Sequence, residues 1–198
     1  MLHALTEDLA SYLSEVTQSD LKCPVPSSTR DVGDLYLHLV DQNISIATAI
    51  TGEAISREQL LGPIDRASLD ADVEYVSGGV GLDQGYRRTA RLMEDAFTTV
   101  TDAGRRCRVQ GFPGEIDVAA LYEELLSLVV IHTWDTAHAL GWSYQPAPDV
   151  TQRVLRTIIQ RTTQTLSTQP AVAADTWPEA IDGADAFAAV LTLSQRVP

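Results

Sequence analysis

The sequence predicts an all-α protein, an antiparallel bundle of four main helices with additional short helices, in a single domain over residues 1–198. Apolar residues recur at three- and four-residue steps in one segment after another, which is the spacing of one helix face. Residues that favour helix ends separate these segments. The connections are mostly short, and long helices joined by short connections pack as antiparallel neighbours.

The first two predicted helices each carry one apolar stripe. In the opening helix, "MLHALTEDLASYL" and the residues after it, the stripe consists of Leu2, Leu5, Leu9, Leu13 and Val16. "CPVPSST" then breaks the chain with two prolines, and Ser28 with Asp31 three residues later has the form of an N-terminal capping box. The second helix follows this box and ends at Gly52. Its stripe consists of Val32, Leu35, Leu39, Ile46 and Ile50.

Polar and glycine-rich connections separate the later helices. The later predicted helices are, in order, a short one in "SREQLLGP", long ones over 82–104 and 117–141, a fifth over "VTQRVLRTIIQRTTQTL" and a last one over "ADAFAAVLTLSQ". The glycine-rich stretch 77–85 is predicted to be a mobile linker, because it lacks the Lys-Ser/Thr pair of a phosphate loop. The loop "RRCRVQGFPGEID" is expected to contain a few extended residues and a turn at Pro113-Gly114.

Composition and charge exclude several classes of partner. The chain has 14 basic and 27 acidic residues, a formal net charge of −13, and such a surface repels phosphate backbones, so nucleic acid is not expected as a partner. No apolar run approaches the length of a membrane span, and the N-terminus does not have the pattern of a signal peptide. A cytoplasmic protein is therefore expected. Two cysteines, Cys23 and Cys107, predict neither a disulfide framework nor a zinc motif.

Two histidines are the strongest candidates for chemistry. His38 lies within "LYLHLV" and His132 within "VVIHTW", so each sits between apolar residues in the middle of a predicted helix. Histidines placed in this way can meet inside a bundle, where they bind a metal ion or satisfy each other by hydrogen bonds. Asp135 shares a side of its helix with His132, whereas His138 points away to solvent. One prediction is a metal site of His38, His132 and a carboxylate with an open position; the other is a buried histidine pair.

Two segments of the sequence resemble a known family. "HTWDTAHALGW" resembles the His-x-Trp-Asp-x-Ala-x-Ala-x-Gly signature of actinobacterial proteins related to the N-terminal domain of mycothiol-dependent maleylpyruvate isomerase, within the DinB-like superfamily. "CPVPSSTRDVGDLYLHLVDQN" is similar to the first signature of that family, and its Val32, Leu35 and His38 fall on matching positions. The "GFPGEID" loop and the ending "DAFAAVLTLSQRVP" also fit, so the resemblance spans nearly the whole chain.

The resemblance implies a DinB-like four-helix bundle that holds a divalent metal, often zinc or nickel, through three side chains. His38 and His132 match two of these ligands, and the third falls on Leu128, which cannot coordinate a metal. Arg30 stands where the family has a tryptophan. The resemblance gives Asp135 a structural role, as an acceptor of hydrogen bonds from a neighbouring helix end, although its position also allows it to serve as a ligand.

Three functions are compatible with these residues. The first is a metal-dependent transferase or isomerase that uses a low-molecular-weight thiol such as mycothiol, whose thiolate the metal would hold for attack. The second is a non-catalytic bundle that has lost its metal and binds a small ligand or a protein partner, a function that Leu128 favours. The third is a structural homodimer. A small-molecule ligand is the expected partner under the first two functions.

Overall fold

The computed structural model describes residues 1–26, 28–71, 81–166 and 183–196, and these residues are mostly helical. The helices are α1 (Leu2–Ser14), α2 (Val32–Thr51), α3 (Arg57–Leu61), α4 (Arg66–Ala71), α5 (Leu82–Thr98), α6 (Val118–Ala139), α7 (Pro148–Leu166) and α8 (Gly183–Leu193). A 3-10 turn covers Asp20–Lys22. Two short strands, β1 (Arg106–Cys107) and β2 (Ile116–Asp117), pair antiparallel. The predicted all-α class is therefore confirmed.

The helices pack into a core through their apolar stripes. α5 packs against both α1 and α2, α6 packs against α1 and α7, and α8 packs against α7. Every residue of the stripes predicted for the first two helices is buried. Full burial of one such aliphatic side chain contributes roughly 1.5–3 kcal/mol. In contrast, α2 and α6 approach each other at only a few points, which leaves a gap between them.

α6 is the most deeply placed helix of the described chain. Its residues from Leu125 to Ala137 are buried with the exception of Leu128, as expected for a helix that is apolar on nearly every side. Polar side chains in this stretch therefore need partners inside the protein. Thr133 and Thr136 find them within the helix, by donating to the carbonyl oxygens of Val129 and His132 at 2.7 and 2.8 Å.

The start of α2 differs from the predicted capping box. Asp31, and not Ser28, is the N-cap residue: its side chain accepts a hydrogen bond from the backbone N–H of Asp34 at 2.9 Å. The hydroxyl of Ser28 instead accepts from the backbone N–H of Arg30. Asp31 is also paired with the guanidinium of Arg66 on α4, which lowers the pKa of the Asp31 carboxyl against the opposing effect of its burial.

Replacing Asp31 by alanine is expected to lower the free energy of unfolding by about 1–2 kcal/mol, because the helix end loses its acceptor and Arg66 loses a partner. Asparagine at this position keeps the cap, so Asp31→Asn should cost less than Asp31→Ala. Ser28→Ala should stay within about 0.5 kcal/mol of the native protein. Urea denaturation followed by circular dichroism measures all three, and an equal loss for Ser28→Ala would contradict the assignment of the cap.

Other predicted helix ends agree with the structure to different degrees. α2 ends at Gly52, whose φ of 78° lies in the left-handed region that glycine adopts without strain. The predicted end of the third long helix at Gly104 is wrong, since α5 stops at Thr98, where a run of β-branched residues disfavours a helix. The short helix α3 was predicted and α4 was not.

The predicted connections are only partly within the described residues. Residues 77–80 of the glycine-rich stretch and the alanine-rich connection over 167–182 lie outside them. Residues 82–85 of that stretch form the first turn of α5. The expected extended residues are the strands β1 and β2, and Gly114 between them has a φ of 81°. Within the described part of the chain, no helix is both long and apolar enough to cross a membrane.

Candidate functional site

His38 on α2 and His132 on α6 meet in the gap between these two helices. Their ring centroids are 5.7 Å apart and the ring planes are nearly perpendicular, at 84°. The sequence placed each histidine within an apolar stretch of its helix but left open whether the two rings meet. The structure therefore brings together the two strongest candidates, which come from distant parts of the chain.

The imidazole of His132 is buried without a hydrogen-bond partner. Its side chain is 9% exposed, and neither ring nitrogen makes a hydrogen bond to any residue that the structure describes. Nδ1 lies 3.4 Å from Oδ2 of Asp135, which is longer than a well-formed hydrogen bond and short enough for a strong electrostatic contact. Buried polar atoms without partners are costly, so this imidazole is a candidate to bind a further group.

Asp135 is held by an arginine from the end of the described chain. Nε and Nη2 of Arg196 donate to Oδ1 and Oδ2 of Asp135 at 3.1 and 2.8 Å, so the guanidinium binds the carboxylate through two hydrogen bonds. Burial raises the pKa of the Asp135 carboxyl, but nearby His132 and Arg196 together lower it below its ordinary value. Arg196 follows α8 by three residues, so this arrangement agrees with the structural role that the resemblance implied for Asp135.

His38 is a neutral imidazole near pH 7. Its partial burial, together with the positive charge of Arg30 and the neighbouring ring of His132, lowers the pKa of His38 to about 4. Neutral imidazole is the form that coordinates metal ions, because its free lone pair is the ligand. Arg30 occupies the position where the resembled family has a tryptophan, so this departure places a positive charge near the site.

A cavity of about 1090 Å³ lies beside His38. Its walls come from α2, the start of α3, the loop between β1 and β2, two residues of α6 and one residue of α7. Its charged lining residues are balanced, with three arginines and three acids: Arg57, Arg108, Arg161, Asp41, Glu115 and Glu124. Arg57 pairs with Asp41 at 3.0 Å and Arg161 with Glu124 at 3.0 Å. A cavity of this size is large enough to hold a small molecule.

Leu128 lines this cavity one helical turn before His132. The resemblance implies a third metal ligand at this position, and leucine has no atom that can coordinate a metal. Among the described residues, no group of three or more His, Cys, Asp or Glu side chains is arranged to hold a metal ion. A metal ion at this point would therefore have only the two imidazoles as protein ligands, and water or a bound ligand would have to fill its remaining positions.

Two other aromatic side chains of the "HTWDTAHALGW" segment, Trp134 and His138, pack against each other outside the candidate site. Trp134 is 6% exposed and packs in the core. His138 is exposed, as predicted, and stacks on Trp134 with 4.6 Å between the ring centroids. The sequence did not identify the contact of Arg196 with Asp135. The only sequence observation that includes Arg196 is the resemblance of the ending "DAFAAVLTLSQRVP" to the family, and that resemblance does not indicate which residue Arg196 contacts.

The chain has no significant match to a protein-family model, a curated protein or a solved structure. The resemblance to DinB-like proteins therefore stays a prediction that rests on the quoted segments. What the site can do follows from its own side chains: two imidazoles, one buried carboxylate with its arginine, and the adjoining cavity.

Proposed function

We propose that this chain is a cytoplasmic DinB-like four-helix bundle that binds a divalent metal ion between His38 and His132 and a small molecule in the adjoining cavity. The observation that carries the proposal is the meeting of two imidazoles, one of which is buried with no hydrogen bond at either ring nitrogen and with only its Nδ1 near a charged group, the carboxylate of Asp135. Zinc and nickel are the ions of choice, because imidazole nitrogen suits both.

The cavity supports an enzymatic function for such an ion. With two protein ligands, an ion would keep positions open toward the cavity that His38 lines. A metal with open positions lowers the pKa of a bound thiol and holds the thiolate as a nucleophile. The activity that fits is a transferase or isomerase that uses a low-molecular-weight thiol such as mycothiol.

One observation favours a second candidate, a metal-free bundle that binds a small ligand or a protein partner. Leu128 puts an apolar side chain into the cavity at the position where a third ligand would stand. In that case His38, which lines the cavity, would supply a hydrogen bond to the ligand in place of metal coordination. The two candidates differ in one measurable property, the affinity of the pure protein for metal.

Titration of the metal-free protein with zinc and with nickel tests the proposal. One ion is expected to bind per chain, and His38→Ala and His132→Ala should each weaken binding by at least about tenfold. His138→Ala is the matched control, since His138 lies on the same helix, is exposed and should contribute nothing. If neither ion binds, or if His138→Ala has the same effect as the other two, the metal proposal fails and the metal-free candidate remains.

A further inference from the structure

Arg196 is anchored before it reaches Asp135. Its backbone N–H donates to the carbonyl oxygen of Leu191 at 2.8 Å, and its Nη1 donates to the carbonyl oxygen of Ser194 at 2.8 Å. The remaining donors, Nε and Nη2, bind both oxygens of Asp135. The guanidinium is therefore fixed at three of its nitrogens, and the carboxylate it holds is only 1% exposed.

This fixed carboxylate determines which nitrogen of His132 can carry the proton. An ionised carboxylate only accepts hydrogen bonds, and a guanidinium only donates them. The negative Oδ2 of Asp135 lies 3.4 Å from Nδ1, so it repels a lone pair on Nδ1 and attracts a proton there. The favoured neutral tautomer therefore has its proton on Nδ1, and the lone pair is on Nε2 at the far end of the ring.

We propose that Arg196 and Asp135 form a positioning pair that fixes His132 in the Nδ1–H tautomer and leaves its Nε2 lone pair free as the ligand atom beside His38. Arg196 is a positioning residue, since it acts on His132 through the Asp135 carboxylate. A carboxylate that orients a ligating histidine is a common supporting contact in metal sites. In this protein the carboxylate is in turn held by a residue 61 positions away. The choice of Nε2 as the ligand atom rests on the proposed function, whereas the tautomer does not.

Long-range ¹H–¹⁵N correlation spectra of metal-free, ¹⁵N-histidine-labelled protein at a pH of about 8 report the tautomer directly, since ordinary imidazoles are neutral there. His132 is expected to show one protonated nitrogen, Nδ1, and one lone-pair nitrogen, Nε2. His138 is an internal reference, because it is exposed and should show a mixture of both tautomers. A mixture at His132 resembling that of His138, or a proton mainly on Nε2, would overturn the proposal.

Variants at position 196 test whether Arg196 sets the tautomer of His132 or only stabilises the fold. Arg196→Ala removes the two hydrogen bonds that hold the Asp135 carboxylate beside Nδ1, so the carboxylate should move away from Nδ1 and the single tautomer of His132 should become a mixture. Arg196→Lys keeps the positive charge, but lysine cannot bind both carboxylate oxygens as arginine does. This variant should therefore keep the single tautomer of His132 only in part. Arg153→Ala is the control, since it removes an arginine from a surface ion pair with Glu123 and should leave the His132 signals unchanged. If Arg196→Ala keeps the native tautomer, Arg196 has no positioning role.

Zinc titration of the same variants gives the functional consequence. Arg196→Lys and Arg196→Ala should bind zinc about 10–100-fold more weakly than the native protein, whereas Arg153→Ala should not differ from it. If the native protein binds no zinc, the proposed function fails while the tautomer spectra still decide the positioning pair. If zinc binds and Arg196→Ala does not weaken it, the proposed function stands and the role of Arg196 in metal binding is refuted.

Discussion

Replacement of Arg196 by alanine is expected to lower the free energy of unfolding by about 3–5 kcal/mol. The substitution leaves the Asp135 carboxylate, whose side chain is 1% exposed, without its guanidinium partner. An unpaired charge in the interior costs far more than a surface pair contributes, because water no longer solvates it. Urea denaturation followed by circular dichroism at neutral pH measures the loss.

A second arginine gives the matched comparison. Arg153 forms an ion pair with Glu123 in which both side chains are more than a third exposed, so Arg153→Ala should cost no more than about 1 kcal/mol. The variant that combines Asp135→Ala with Arg196→Ala removes both charges and should be less destabilised than the sum of its two single variants. An Arg196→Ala loss no larger than that of Arg153→Ala would contradict the buried pair.

Leu128→Glu is expected to raise the affinity for zinc or nickel on the order of 100-fold, because it adds the missing third ligand to two histidines. Leu128 stands one turn before His132 and lines the cavity beside His38, so a carboxylate there lies on the correct side of α6. Isothermal titration, or competition with a chelator of known affinity, measures the change in the dissociation constant.

Leu128→Gln separates coordination from polarity. Glutamine has nearly the shape of glutamate without its negative charge, and it is a poor ligand for zinc. The gain in affinity should therefore be much smaller for Leu128→Gln than for Leu128→Glu. Equal affinities in the two variants would show that position 128 does not reach the metal.

The helical class and the core stripes could be predicted because they depend on local spacing. Leu5 and Leu9 on α1, and Leu35 and Leu39 on α2, repeat at four-residue steps, and any helix formed there presents one apolar face. Ser28 and Asp31 are both good capping residues, so their identity alone could not decide which of them starts α2. In the structure Asp31 is the capping residue, and it also pairs with Arg66, which lies on a helix that the sequence did not predict.

The sequence singles out His38 and His132 as candidates, but it does not specify how they lie relative to each other. Periodicity fixes the side of a helix on which His38 or His132 lies, but it does not specify which helices become neighbours. The hold of Arg196 on Asp135 depends on where α8 ends relative to α6, and those two residues are 61 positions apart. Such a contact follows from the packing of the whole chain, and no local pattern encodes it.

The sparse contact between α2 and α6 has a thermodynamic consequence. Few side chains hold these two helices to each other, so the separation of His38 and His132 is set indirectly, through α1 and α5. An ion bound between the histidines would join the helices directly and would bind only the folded chain. The midpoint of thermal unfolding should then rise with the logarithm of free metal concentration, so the ion would act as a cross-link that the packing itself does not supply.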